Sequence, residues 1–499
     1  MSSNHNKGAV AAGHKATAEA AVEILRAGGN AFDAIIAGLW AACVCEPVLA
    51  APGGGGFLMA HEGDEAGGQN AGTARLFDFF CDAPRVRRDP DAIEFTEVLA
   101  DFGATVQAFH IGAGAAAVPG FVPGIKAVHA ALGTMAMADL IVPAVSLATG
   151  GVNVTPFQAY LFDVVAPILT WTPEAQAIFA PGGRLLSAGE RLVNPALGEA
   201  LAMIAEGRQA SIAEAMLEEC ETFGGHLRAD DLDLYQVVER QPVELTIGDA
   251  TIWLNPPPAL GGVLAGAMLA DYIAAREPRS AMQRAGSIAR IDSTWRRDGA
   301  AIFKTLGLLG EKAAGSLAVR GTTHISVIDA EGRAASATVT NGEGNGRILG
   351  DFGFMLNNML GEADLNPDGF HNWRPGTRLS SMMAPTIARL ADGTLAALGS
   401  GGSNRIRTAI FQALASRFLD GKTPTEAVAA PRLHLEEGHL DIEAAAEWGE
   451  MDALFEGFPD AKAWPERSLY FGGVHWAEAG PGGYAGAGDP RRDGVFLLA

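Results

Sequence analysis

The stretch Thr322-Thr323-His324-Ile325-Ser326-Val327-Ile328, the turn Asp329-Ala330-Glu331-Gly332 and the run Ala334 to Thr340 constrain the fold most. Two β-branched runs around a polar turn predict a hairpin of two core strands. A chain of 499 residues that is 48% hydrophobic and 19% charged can bury such strands in a large core, which excludes disorder as its main character. Its 63 glycines follow no Gly-X-Y period, so a collagen-like structure is excluded.

The hairpin belongs to a mixed α/β chain. Residues 14 to 27 predict an amphipathic helix stopped by Gly28-Gly29. Asn30 and Asp33 then resemble an N-cap and its reciprocal partner ahead of a buried helix over Ala34 to Val44. Pro52 to Gly56 predicts a loop feeding a core strand at Phe57 to Ala60, and helical patterns recur at 194 to 221 and 261 to 275. Leu140 to Phe162, broken by Pro143, Gly150, Gly151 and Pro156, predicts a buried loop-and-strand region and no membrane span. Arg276 to Arg320 carries nine basic residues against four acidic ones and predicts an exposed connecting segment. No repeat of solenoid period stands out.

Charge and composition narrow the function. A formal net charge of -22 has the wrong sign for neutralising phosphates, so neither nucleic acid nor an anionic membrane is an expected partner. Four cysteines with no C-x-x-C pair give neither a disulfide framework nor a zinc site, and Cys43 and Cys45 are expected as buried thiols. The first eight residues have no apolar core of a signal peptide, which predicts a cytoplasmic protein.

No G-x-S-x-G, H-E-x-x-H or G-x-x-x-x-G-K-[ST] occurs, the Gly344-Asn345-Gly346 pattern is expected as turn glycines, and none of the 11 histidines has metal-ligand spacing. His324 is expected as a packed strand residue; His434 and His439 flank a turn and receive no role. What remains is a set of hydroxyls and glycines: Thr322, Thr323, Thr338, Thr340 with Asn341, Ser380-Ser381, and Gly399-Ser400-Gly401-Gly402-Ser403. Acyl transfer uses such groups as nucleophile and oxyanion donors. A threonine hydroxyl needs a base, and a threonine at a chain start has one in its own amino group, with a reference pKa of about 7.7–8.0. That chemistry requires a cut before the threonine; strand-forming threonines and turn-forming Gly-Ser clusters are the structural alternative.

The motifs TTH at 322–324, LSSM at 379–382 and GSGGS at 399–403 closely resemble the γ-glutamyltransferases, which are N-terminal-nucleophile hydrolases. Gly28 to Ala34, Glu46-Pro47, Val118-Pro119-Gly120, Tyr235-Gln236-Val237, Pro256 to Pro258 and Ala430-Pro431-Arg432 extend the resemblance along the chain. It implies a four-layer αββα fold made as one precursor and cut between Gly321 and Thr322. Residues 1–321 and 322–499 would then stay associated as the large and small segments of one interleaved domain. By the same resemblance Thr322 is the nucleophile, Thr340 supports it, Gly401 and Gly402 form the oxyanion hole, and Ser380 and Ser381 line the donor pocket with Asn341 and Glu362. The partners implied are a small-molecule amide donor and water or an amino-acid or peptide acceptor; no metal or organic cofactor is implied.

Two departures bear on the substrate. Phe80 stands where typical members carry an arginine that pairs with the donor α-carboxylate, and Met359 replaces a donor-binding amide. Glu362 stands near an aspartate that holds the donor ammonium, and Arg378, Arg405 and Arg407 are candidates for a displaced carboxylate clamp. Besides a γ-glutamyl donor, the alternatives are a side-chain amide acylase with a less polar donor and an unprocessed ligand-binding homologue.

Overall fold

A computed structural model of the chain describes residues 6–63, 72–101, 106–275, 279–307, 321–366 and 369–499. The predicted hairpin forms as Thr323–Asp329 paired antiparallel with Ala334–Thr340, and every residue of both strands is buried. It is the centre of a seven-stranded sheet that runs, edge to edge, Val495–Leu498, Gly8–Ala12, Thr323–Asp329, Ala334–Thr340, Gly55–His61, Ala74–Phe79 and Val238–Arg240. A six-stranded sheet, ordered Gly483–Ala487, Gly473–Gly480, Leu395–Gly401, Thr386–Arg389, Ala250–Leu254 and Val243–Ile247, packs on it face to face.

The two-residue side-chain period of a strand separates the layers. Ile325, Val327, Ala335, Ala337 and Val339 face a core shared with the helices Lys15–Ala27 and Ala31–Cys45. His324, Ser326, Ser336 and Thr338 face the second sheet, where a polar layer is fully hydrogen-bonded. His324 bridges the Thr338 and Ser326 hydroxyls at 2.8 Å each, and Ser336 donates to the Leu398 carbonyl at 2.8 Å. Burial holds His324 well below the usual histidine range, so it is a neutral hydrogen-bonded strand residue, as expected. The helices Gly261–Ala274 and Arg405–Phe418 cover the outer face of the second sheet. The order helix, sheet, sheet, helix is the expected four-layer arrangement.

The helix Ala31–Cys45 is closed at its start by the predicted pair: Asn30 Oδ1 accepts from the Asp33 amide and an Asp33 carboxylate oxygen accepts from the Asn30 amide. All four cysteines are free and buried.

Two expectations are corrected. The 140–162 region is helical, with Val142–Gly150 and Pro156–Val164 joined through the two-residue strand Val152–Asn153. Pro143 and Pro156 sit in the first turns of their helices, where a missing N–H costs nothing, so they start helices instead of breaking them. The basic segment is not an exposed connector over its described part. It forms the helix Ala281–Arg297, whose Ala285, Ile288 and Ile291 are buried, and the helix Gly299–Thr305. Arg290 pairs with Asp271 at 2.6 Å and Arg296 with Asp292 at 2.8 Å, while Arg284 is buried against Asp420. Residues 276–278 and 308–320 of that segment lie outside the described residues. Among the described residues no helix is long and apolar enough to cross a membrane.

Candidate active site

The hairpin brings together groups distant in sequence. Thr323 pairs with Val339, so Thr340 reaches the sheet end where Thr322 immediately precedes its strand. Thr322 is 2% exposed. From the facing sheet the strand Leu395–Gly401 ends at the same place. A Cβ on Gly401 would lie 2.3 Å from the Thr322 carbonyl oxygen, so only glycine fits this approach. Gly402 follows with φ +118°, turning the chain into the helix Arg405–Phe418.

The Gly321–Thr322 bond is held on both sides. The Thr340 hydroxyl donates to the Gly321 carbonyl at 2.5 Å and accepts from the Gly342 amide at 3.0 Å, and the Gly321 amide donates to Glu343 Oε1 at 2.7 Å. Thr322, Thr340, Ser381, Met382, Met383, Ser403 and Ile406 line one cavity. Ser381 accepts from the Met383 amide at 3.1 Å, whereas Ser380 donates to the Pro258 carbonyl at 2.9 Å and is not among the lining residues. Asn341 follows Thr340 at the end of its strand, and Glu362 lies beside Gly342. Asn341 Nδ2 is 3.5 Å from the Met355 and Leu356 carbonyls, and a Cβ on Gly342 would lie 2.5 Å from Glu362 Oε1.

The substituted positions are apolar and closed. Phe80 is fully buried and stacks on Phe57 with centroids 5.6 Å apart; Met359 is also fully buried. Arg378 donates to the Phe80 and Gln236 carbonyls and pairs with Asp82 at 3.1 Å. Arg407 is wholly buried against Asp292 at 3.2 Å, and the Arg405 guanidinium lies 4.0 Å from the centre of the Tyr470 ring. Arg378 and Arg407 are thus committed to internal partners.

Sequence reasoning assigned no role to Glu343 or Glu46. Glu46 caps the helix Ala31–Cys45 and accepts from Thr17 at 2.8 Å and from Thr323 at 2.6 Å. Burial pushes its carboxyl up to about 7, against the opposing pull of the two hydroxyls. Between about pH 4.5 and 7 the folded chain therefore keeps a proton there that an unfolded carboxyl has released. Stability from the protonated form is complete below the unfolded value and is lost as pH rises through about 7. Glu46→Gln, neutral at every pH, is expected to melt with wild type near pH 5 and above it at pH 8. An equal offset at both pH values in thermal melts would refute this. His434, which flanks the turn as a residue without a role, is buried and hydrogen-bonded to Thr408 at 3.0 Å; His439 is exposed.

A four-layer αββα sandwich with a threonine opening an inner strand at the meeting point of both sheets is the architecture of an N-terminal-nucleophile hydrolase. The chain belongs to the γ-glutamyltranspeptidase family, whose model matches residues 17–291 and 277–499. It is 30% identical over 490 residues to the acylase ACY 1 proenzyme of Pseudomonas sp. (strain V22), covering 88% of this chain and 84% of that one. It is 25% identical over 493 residues to the glutathione hydrolase proenzyme of Bacillus subtilis (strain 168), covering 86% and 80%. The fold matches that of the cephalosporin acylase from Bacillus halodurans with a TM-score of 0.81 at 21% identity, over 99% of this chain and 96% of the other.

Proposed function

We propose that this chain is a self-processing amide hydrolase and acyl transferase with Thr322 as its nucleophile. The observation that carries the reading is the clamped Gly321–Thr322 peptide: its carbonyl accepts from Thr340, its next residue supplies the hydroxyl, and Gly401 packs against that residue. In the first reaction the Thr322 hydroxyl adds to the Gly321 carbonyl, the C–N bond breaks, and the hydroxyl proton ends on the released amine. Water then hydrolyses the ester, leaving a Gly321 carboxylate and a free Thr322 amine.

That amine is the base for turnover. It takes the hydroxyl proton as the oxygen adds to a donor amide, and the proton passes to the leaving amine as the acyl-threonine forms. Water or an amine acceptor then takes the acyl group. The amides of Gly401 and Gly402 serve the developing oxyanion, and Ser381 lines the donor side. Denatured intact mass with N-terminal sequencing tests the first reaction: two fragments, the smaller beginning at Thr322, are expected. A chain that stays whole on incubation would support a ligand-binding homologue instead.

The donor is the second question. Phe80 and Met359, both fully buried, and the internal pairing of Arg378 and Arg407 favour a donor acyl group less polar than γ-glutamyl. The name of the Pseudomonas relative, an acylase, supports the same reading. Comparing γ-glutamyl-, glutaryl- and phenylacetyl-4-nitroanilide separates the two; a kcat/KM highest for the γ-glutamyl donor would reject the acylase reading.

Thr340→Val removes the hydrogen bond to the scissile carbonyl while keeping the strand's shape. Because loss of one oxyanion-type donor costs about 10²–10³ in rate, self-cleavage is expected to slow by roughly 100-fold. Following full-length chain after a synthesis pulse checks this, and an unchanged half-time would remove Thr340 from the processing step.

A further inference from the structure

The first two residues of the small segment are poorly tied to the large one by backbone. The strand Gly8–Ala12 pairs with Thr323–Asp329 only from Ile325 onward, Ala12 being opposite Ile325. On its other side Thr323 pairs with Val339, which belongs to the same segment. Once the Gly321–Thr322 bond is cut, no covalent link from the large segment remains at this end either.

A side-chain contact from the C-terminal cap of the helix Ala31–Cys45 reaches Thr323. Glu46 Oε2 accepts from the Thr323 hydroxyl at 2.6 Å, and Glu46 Oε1 accepts from Thr17 at 2.8 Å, so each carboxylate oxygen holds one hydroxyl. Glu46 is 4% exposed and has no cation partner among the described residues. Its backbone is equally fixed: its amide donates to the Ala42 carbonyl, and its carbonyl accepts from the Leu49 and Ala50 amides. The turn so formed backs the other side of the scissile bond, since a Cβ on Gly321 would lie 3.0 Å from Leu49 Cδ2 and 3.2 Å from the Val48 carbonyl oxygen. The titratable groups around this carboxylate are Cys43 and Cys45 on its own helix and His475 of the facing sheet. His475 Nε2 and Glu46 Oε2 lie 3.2 and 3.0 Å from the point a Cβ on Gly13 would occupy.

We propose that Glu46 is the positioning residue of the nucleophile: held by Thr17, it grips the Thr323 hydroxyl and so fixes where Thr322 presents its hydroxyl and, after the cut, its amine. The proposal rests on the reading of Thr322 as nucleophile. Successive side chains of a strand point to opposite faces, so anchoring Thr323 on the helix side sets the orientation of Thr322 toward the cavity. Misplacement of a reacting atom by about 1 Å costs roughly 100-fold in rate, which makes one such anchor measurable.

The test is a double-mutant cycle of Glu46→Ala and Thr323→Val, with Glu46→Gln as the conservative variant. The readouts are self-cleavage rate after a cell-free synthesis pulse and kcat and KM of the matured protein on glutaryl- and γ-glutamyl-4-nitroanilide. Each single variant is expected to slow self-cleavage about tenfold or more and to lower kcat by a similar factor, with KM within about twofold of wild type. The double variant is expected to be no slower than the slower single one, because both remove the same contact. Glu46→Gln can still accept one hydroxyl and donate to the other, so it is expected to recover to within about threefold of wild type.

Single variants that melt as folded proteins yet cleave within about twofold of wild type would overturn the proposal, as would multiplicative losses in the double variant or a glutamine variant as slow as the alanine one. If Glu46→Ala does not fold, the near-isosteric Thr323→Val together with Glu46→Gln decides the question by the same rates. A wild-type chain not cut before Thr322 would reject the nucleophile reading itself, a result distinct from any of these.

Discussion

Thr322→Ala is expected to accumulate as one folded chain of full length with no amidase activity. On the proposed mechanism the same hydroxyl attacks the Gly321 carbonyl and, later, the donor amide, so both reactions stop together. The fold itself should tolerate the change. Thr322 precedes the strand Thr323–Asp329, and the contacts that organise this end, Thr340 to Gly321 and Glu46 to Thr323, do not use its side chain. Intact mass, a thermal melt and 4-nitroanilide turnover check the three parts. A variant that still matures at the same bond, or retains more than a trace of turnover, would show that another group carries the chemistry.

The second large effect is expected at Gly401→Ala. The added methyl would sit 2.3 Å from the Thr322 carbonyl oxygen and 3.2 Å from its carbonyl carbon, both backbone atoms of a buried residue. One of the two strands must shift. Overpacking of this kind costs about 1–3 kcal/mol of stability. The functional loss should be larger, because on the proposed mechanism the shift also moves the Gly401 and Gly402 amides away from the developing oxyanion. Losses of about 10²–10³ in both self-cleavage and kcat are expected. Gly150→Ala is the matching control, since a Cβ there meets nothing within 4 Å. Turnover by Gly401→Ala within tenfold of wild type would exclude this turn from the site.

How much of this was legible in the sequence depended on whether the signal was local. The hairpin was, because two β-branched runs and a polar turn are contiguous, and the strands Thr323–Asp329 and Ala334–Thr340 flank the expected turn. The Asn30–Asp33 cap was legible for the same reason. The helices of 142–164 were not: proline and glycine punctuate short helices and loops alike, and position within the first turn is visible only in three dimensions. The basic run misled because charge says little about the apolar face that the helix Ala281–Arg297 buries, and two of its charged residues, Arg284 and Asp292, are themselves buried.

The site divides in the same way. TTH, LSSM and GSGGS contain Thr322, Ser381 and Gly401, which the fold brings together; Ser380, equally prominent in its motif, turns to the Pro258 carbonyl. Glu46 had no detectable signal of function, because its partners Thr17 and Thr323 are 29 and 277 residues away. The three candidate arginines could be sorted only by their acids: Asp82 claims Arg378 and Asp292 claims Arg407, whereas Arg405 rests on an aromatic ring.

The strand order has a kinetic meaning. In the seven-stranded sheet, Gly8–Ala12 lies between Val495–Leu498 and Thr323–Asp329, and in the six-stranded sheet Ala250–Leu254 adjoins Thr386–Arg389. Each segment therefore completes sheets begun by the other. While the chain is whole, folding is a first-order process with the two segments tethered. After the cut, a molecule that unfolds comes apart into two pieces whose reunion is second-order, slowed by dilution and exposed to aggregation through unpaired strand edges. The proposed maturation would thus exchange a refoldable protein for one whose lifetime is set by how seldom it unfolds.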